Sequence, residues 1–221
     1  RQGIYTAPPV EVDARGPEHM TALIRRAVAD VLRDDKIPVL LGGEHSVTLG
    51  AVQAVKAAFP GLQTLQLDAH ADLRESYQGT PYSHACIARR IQELCPLVQA
   101  GIRSMSEEEA LFLRSGAVKT FSADFILDDP DWAEKICTHL DGDVYVTIDL
   151  DVLDPSCMPA TGTPEPGGVS WRHLLMLLRP LAKKCKIRGL DVVELSPLPG
   201  QVAPDFLAAK LIYRIMGYIS G

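Results

Sequence analysis

The chain has 221 residues, 47% hydrophobic and 23% charged, with a net charge of −6, so it can bury a full core and, lacking any basic stripe, offers no nucleic-acid partner electrostatic support. No apolar run approaches the ~20 residues that span a bilayer and the start RQGIYTAPPV lacks the pattern of a secretory signal, so no membrane partner is expected. The five cysteines, Cys86, Cys95, Cys137, Cys157 and Cys185, are scattered, odd in number and without a Cys-x-x-Cys pair, which argues against a disulfide framework or zinc ribbon and for a reducing cytoplasm.

Residues 1–16, with Pro8, Pro9 and Gly16, read as an extended lead-in. The sequence has no initiator Met and is expected to begin inside a longer gene product. Pro17-Glu18 has a helix-start pattern, and Leu23, Ile24, Ala27, Val28, Val31 and Leu32 form one apolar face, predicting a helix over 17–35. Ile37 to Leu41 reads as a short buried strand ending in Gly42-Gly43-Glu44-His45, after which Ser46 opens a second helix. The next strand, Leu62 to Leu67, ends in Asp68-Ala69-His70-Ala71-Asp72. Past a polar loop, His84 leads a helix to about Cys95. Leu97–Ile102 and Ala117–Phe121 read as strands separated by a helix over Glu107–Arg114, and residues 130–140 as another helix. The β-branched and aromatic run Val144 to Ile148 is a buried strand ending in Asp149-Leu150-Asp151. Ser170 caps a helix through Leu181, Ile187–Val193 is the last strand, and Pro204–Tyr218 is a closing helix.

Strands alternating with helices at this spacing imply a mostly parallel sheet in an α/β chain, with ligands outside the carboxyl ends of the strands. No repeat, low-complexity tract or linker interrupts residues 1–221, which read as a single domain. Four strands end in ionisable residues: His45; Asp68, His70 and Asp72; Asp149 and Asp151; and Glu194. Asp149 and Asp151 share one side of their strand, where like charges repel unless a cation removes the conflict. Asp68, His70 and Asp72, also at alternate positions, converge on one centre if their loop stays roughly extended. Gly42 and Gly43 allow the backbone to approach closely beside His45, and no Gly-Lys-Ser/Thr follows them to make a phosphate loop. Four Asp and two His are too carboxylate-rich for structural zinc; they suit manganese, and six ligands suit two ions sharing bridging carboxylates. On the ligands alone a two-metal phosphoesterase remains open, although the basic residues or Gly-rich nest that would hold a phosphate are missing.

GGEHSVTLG, LDAHADLRESY, SHA and TIDLDVLDPSCMPATGTPEPGG, followed by DVVELSP and PDFLAAKLIYRIMGY, resemble the ureohydrolase family of arginases and agmatinases from Pro38 onward. The resemblance implies a three-layer α/β/α fold, two manganese ions, and hydrolysis of a guanidino compound to urea and an amine. By motif position it implies that His45, Asp68, Asp72 and Asp149 hold one ion and His70, Asp68, Asp149 and Asp151 the other. His84 falls where the family has a proton-shuttling His, and Glu194 where it has the carboxylate that holds the guanidinium. The chemistry asks for these roles: a guanidinium carbon is a poor electrophile, so water must be acidified by metal, the planar cation held by a carboxylate, and the leaving amine given a proton. The family's habit implies a homo-oligomer, a trimer or hexamer. Two departures concern the N-terminal segment the family usually carries, with an early strand of the sheet, expected to be missing here and to leave an edge open, and Ala160, where many agmatinases and arginases have Gly. Arg74 stands where arginases carry an Asn that anchors the amino acid, so agmatine, cleaved to putrescine and urea for polyamine biosynthesis, is the expected substrate. Guanidinobutyrate or arginine hydrolysis is the alternative within the family, and a non-catalytic partner subunit the alternative outside it.

Overall fold

Among the residues that the computed structural model describes, 3–221, six strands form one sheet: β1 (Val39–Leu41), β2 (Gln63–Leu67), β3 (Leu97–Ile102), β4 (Lys119–Ser122), β5 (Asp143–Asp149) and β6 (Lys186–Val193). Their order is β1-β6-β5-β2-β3-β4 and every ladder is parallel. Parallel neighbours need crossovers, built here around α1 (Pro17–Arg33), α2 (Val47–Ala58), α3 (Ile87–Gln92), α4 (Glu107–Leu113), α5 (Ala123–Asp128), α6 (Trp132–Cys137), α7 (Trp171–Lys184) and α8 (Ala203–Ile219). Among the described residues no helix is long and apolar enough to cross a membrane.

Strand alternation sorts the side chains onto two faces. Val144, Val146 and Ile148 join Leu65, Leu67, Val98 and Leu190 in a core closed by Ile126 of α5, Ile136 of α6, Leu177 of α7 and Leu211 of α8. Tyr145 and Leu97 turn to the other face and meet Ile24 of α1, Val52 of α2 and Ile91 of α3. The result is the three-layer α/β/α arrangement expected, parallel throughout.

Three local expectations change. The strand expected to be buried over 37–41 is the sheet edge: β1 pairs only with β6, and Leu41 is 64% exposed. The helix expected from His84 to Cys95 is broken into a 3-10 turn over His84–Cys86 and the short α3. Helix α5 was not anticipated at all; Ser122, the last residue of β4, starts it by accepting a hydrogen bond from the Phe125 amide at 3.1 Å, a cap hidden behind a strand end.

A row of polar side chains crosses the α1–α3 face of the sheet just beneath its carboxyl end. Strand register pairs Thr120 with Gln99, Gln99 with Gln66, Gln66 with Thr147, and Thr147 with Asp191, and the last four are wholly buried. Such a row is tolerable only if its members hydrogen-bond to something.

Candidate active site

Each strand end delivers its side chains for a local reason. Past β1 the chain crosses the end of β6, where a Cβ on Gly42 would lie 2.8 Å from Val193 Cγ1, so only glycine fits without displacement. The loop after β2 stays extended as far as His70, which bridges Ser104 in parallel register. It then turns, with Asp72 at φ 51°, so the run expected to stay extended through Asp72 bends at its last residue. Asp149 ends β5 and accepts the Asp151 amide at 2.9 Å, opening a 3-10 turn.

These elements bring all six expected side chains into one cluster. His45 Nδ1 lies 3.1 Å from Asp68 Oδ2, 3.2 Å from Asp72 Oδ2 and 3.4 Å from Asp149 Oδ2, yet it is buried with no hydrogen-bond partner. His70 Nδ1 lies 2.9 Å from Asp151 Oδ2 and 3.6 Å from Asp68 Oδ1. His45, Asp68 and Asp72 make one group able to hold a cation, Asp68, His70 and Asp151 a second, and Asp68 belongs to both. The four aspartates are buried, and four buried carboxylates demand positive charge. Without a metal that charge comes from protons. Burial lowers the pKa of His70, but hydrogen bonds to Asp151 and then Asp68 outweigh it and push it up to about 11. Burial and the charge of Asp68 push Asp72 up to about 7 and raise Asp149 and Asp151 as well. An orphaned imidazole nitrogen facing carboxylate oxygens fits a divalent cation, and the all-oxygen-and-nitrogen donor set fits a hard one.

Glu194 follows β6 at φ 63°, a conformation rare outside glycine and characteristic of functional sites. Its amide donates to Gly43 O at 2.8 Å, and its Oε1 accepts the His45 amide at 2.7 Å. Burial raises its pKa. His84 opens the 3-10 turn, and its backbone amide and Nδ1 both lie 2.8 Å from Glu44 Oε1. That hydrogen bond raises the His84 pKa. A cavity of about 480 Å³ is lined by His45, His70, Asp72, His84, Asp149 and Glu194, with Arg74 and Tyr77 on its wall. Arg74 is partly engaged there, its guanidinium 5.2 Å from the Tyr77 ring centre and its Nε 3.9 Å from Glu109.

Sequence reasoning passed over three residues. Glu44 stood beside the more conspicuous His45. Asp191 lay inside a strand. Arg103 donates to five backbone carbonyls, those of Gly101, Asp151, Val152, Glu165 and Pro166, and so ties the loop after Gly162 to the ends of β3 and β5; no spacing in the sequence marks it. Cys86 and Cys157 are free thiols, like the other cysteines.

A family model described as the arginase family matches residues 2–217. The N(1)-aminopropylagmatine ureohydrolase of Thermus thermophilus is 41% identical over 216 residues, 97% of this chain and 73% of that protein. Its counterpart in Synechocystis is 37% identical over 223 residues, 98% of this chain and 73% of that protein. Among solved structures, the agmatine ureohydrolase of Thermoplasma volcanium superposes with a TM-score of 0.86 at 33% identity, covering 95% of this chain and 71% of that one.

Proposed function

The chain belongs to the arginase family of guanidino hydrolases, and from that premise we propose that it is a manganese-dependent amidinohydrolase releasing urea from a cationic aminoalkylguanidine. The observation that carries this is the pair of donor groups sharing Asp68, whose members His45, His70 and Asp72 line a cavity that also receives Glu194 and His84. In this reading His45, Asp68, Asp72 and Asp149 hold one ion, and His70, Asp68, Asp149 and Asp151 the other. Two bound divalent cations supply the acidification that lets water attack at neutral pH.

The chain's own groups do the rest. Glu194, fixed by the His45 amide, keeps lone pairs free to accept from a planar guanidinium and hold its carbon for attack. Water adds to that carbon and the C–N bond to the alkyl nitrogen breaks. His84, anchored through Nδ1 by Glu44, gives the departing amine its proton and regains one from the water that added, leaving urea.

The substrate within this class is agmatine or a longer polyamine built on it. Partial engagement of Arg74 by Glu109 and Tyr77 weakens the case for an acid. Agmatine was the expectation from sequence; the names of the Thermus and Synechocystis relatives favour N(1)-aminopropylagmatine as the second reading. Urea release measured with manganese on agmatine, N(1)-aminopropylagmatine, arginine and guanidinobutyrate decides between them. A preference for either acid overturns the cationic assignment, and no urea from any of the four overturns the reaction. A cytoplasmic setting, supported by the five free thiols, and a homo-oligomer of three or six copies complete the proposal.

A further inference from the structure

The polar row beneath the site divides into two arms, and each ends on a residue of the cluster. On one side Thr120 donates to Gln99 Oε1 at 2.9 Å, Gln99 to Gln66 Oε1 at 2.9 Å, and Gln66 to Asp68 Oδ2 at 2.8 Å. On the other, Asp191 receives the Tyr145 hydroxyl at 2.8 Å and the Thr147 hydroxyl at 2.6 Å, and Thr147 Oγ1 lies 2.9 Å from His45 Nε2.

The second arm fixes a proton by elimination. A threonine hydroxyl has one hydrogen, and Thr147 gives it to Asp191. Toward His45 it can therefore only accept, so Nε2 must carry the imidazole hydrogen. With Nε2 so engaged, Nδ1, which faces Asp68, Asp72 and Asp149 with no hydrogen-bond partner, is the nitrogen left to give its lone pair to a cation. Thr48 Oγ1, 3.4 Å from Thr147 Oγ1, is the other hydroxyl beside this arm. Every member of the arm is buried, so water does not compete for these bonds.

We infer that Asp191, acting through Thr147, is a positioning residue that sets the tautomer of His45 and so presents Nδ1 as a ready ligand to one of the two cations. This rests on the metal-centre reading above. The arm lies buried behind the cluster; it makes one imidazole a better donor, an effect that groups behind metal-binding histidines commonly exert at about 10–100-fold in affinity. Its consequence is one-sided, because the other ring nitrogen of His70 faces Glu165 Oε1 at 3.7 Å and not this arm, so the site that His70 serves should be unaffected.

The test is manganese titration followed by electron paramagnetic resonance, which distinguishes an exchange-coupled ion pair from an isolated ion. The wild-type chain should bind two ions and show the coupled signal; if it does not, the metal-centre reading fails regardless of the arm. Thr147→Val keeps the volume but removes the hydroxyl. It should weaken one ion by about 10–100-fold, so that the single-ion signal persists across that range of manganese while the second site keeps its wild-type affinity. Thr147→Ser should restore the wild-type titration. Asp191→Asn, whose amide can donate to Thr147 and turn that hydroxyl toward His45, should reproduce the selective loss and carries the test if Thr147→Val does not fold. A Thr147→Val chain that takes up both ions normally, or variants that weaken both equally, would overturn the inference.

Discussion

The hydrogen bond between Glu44 and His84 governs how long His84 stays an acid as pH rises. Its pKa is raised above 6.5 chiefly by that bond, and a rate that needs the protonated imidazole falls as pH climbs through that pKa. Glu44→Gln removes the negative charge, so the decline in kcat should begin at lower pH while manganese content is unchanged; an unshifted profile would detach Glu44 from the reaction. Glu194→Gln keeps the backbone but offers the guanidinium a neutral acceptor. A charged hydrogen bond is worth about 1.5–3 kcal/mol, so kcat/KM should drop about 10–100-fold with little change in melting temperature. Undiminished kcat/KM would remove Glu194 from substrate binding. At this scale the sequence was most legible in a coincidence: one acid or histidine at a strand end can be a turn cap, but four strands of one sheet ending in them have few other reasons to do so. Asp191 announced nothing, because the hydroxyls that explain it lie 44 and 46 residues away in the chain and meet it only through strand register.

Loops after β3 and β5 are held by a single side chain, and their geometry should fail with it. Arg103 pairs five carbonyls, and a Cβ on Gly168 would lie 2.7 Å from its Nη2, so the loop is packed directly on the guanidinium. Lysine has neither the fork nor the reach to replace it. Arg103→Lys should destabilise the chain by about 2 kcal/mol or more, since carbonyls are left unpaired, and should raise KM through looser placement of Asp151. Denaturant unfolding and steady-state kinetics check the two halves; a variant as stable as wild type would show that water replaces the arginine. The elements themselves were readable wherever periodicity ran long, as in α1, α7 and β5. They were missed where a turn interrupts them: α5 begins on the last residue of β4, and the run after His84 is too short to settle as one helix. An open edge was expected from the missing early strand; that β1 lies there was illegible for another reason, since an apolar triplet reads the same with one neighbour or two.

The whole molecule carries the charge problem of its site, which ties stability to metal and pH together. In the metal-free chain His70 titrates well above its ordinary 6.5 and Asp72 above its ordinary 3.8, so the folded state holds more protons than the unfolded one. Stability then falls as pH rises between those ordinary values and the raised ones, about 11 for His70 and about 7 for Asp72, because the unfolded chain releases its protons first. Cations that take the place of these protons relieve the penalty, and their uptake releases protons. Manganese at a hundredfold excess over its dissociation constant should add about 2.7 kcal/mol, or roughly 5–10 °C in melting temperature for a chain of this size. The increment should grow from about pH 6 to about pH 8.5, because the metal-free chain loses stability over that interval and the loaded one does not. Melting with manganese and with a chelator at the two pH values measures it. An equal gap at both would mean that the carboxylates are neutralised by something other than protons and metal, and a gap shrinking with pH would reverse the sign of the coupling.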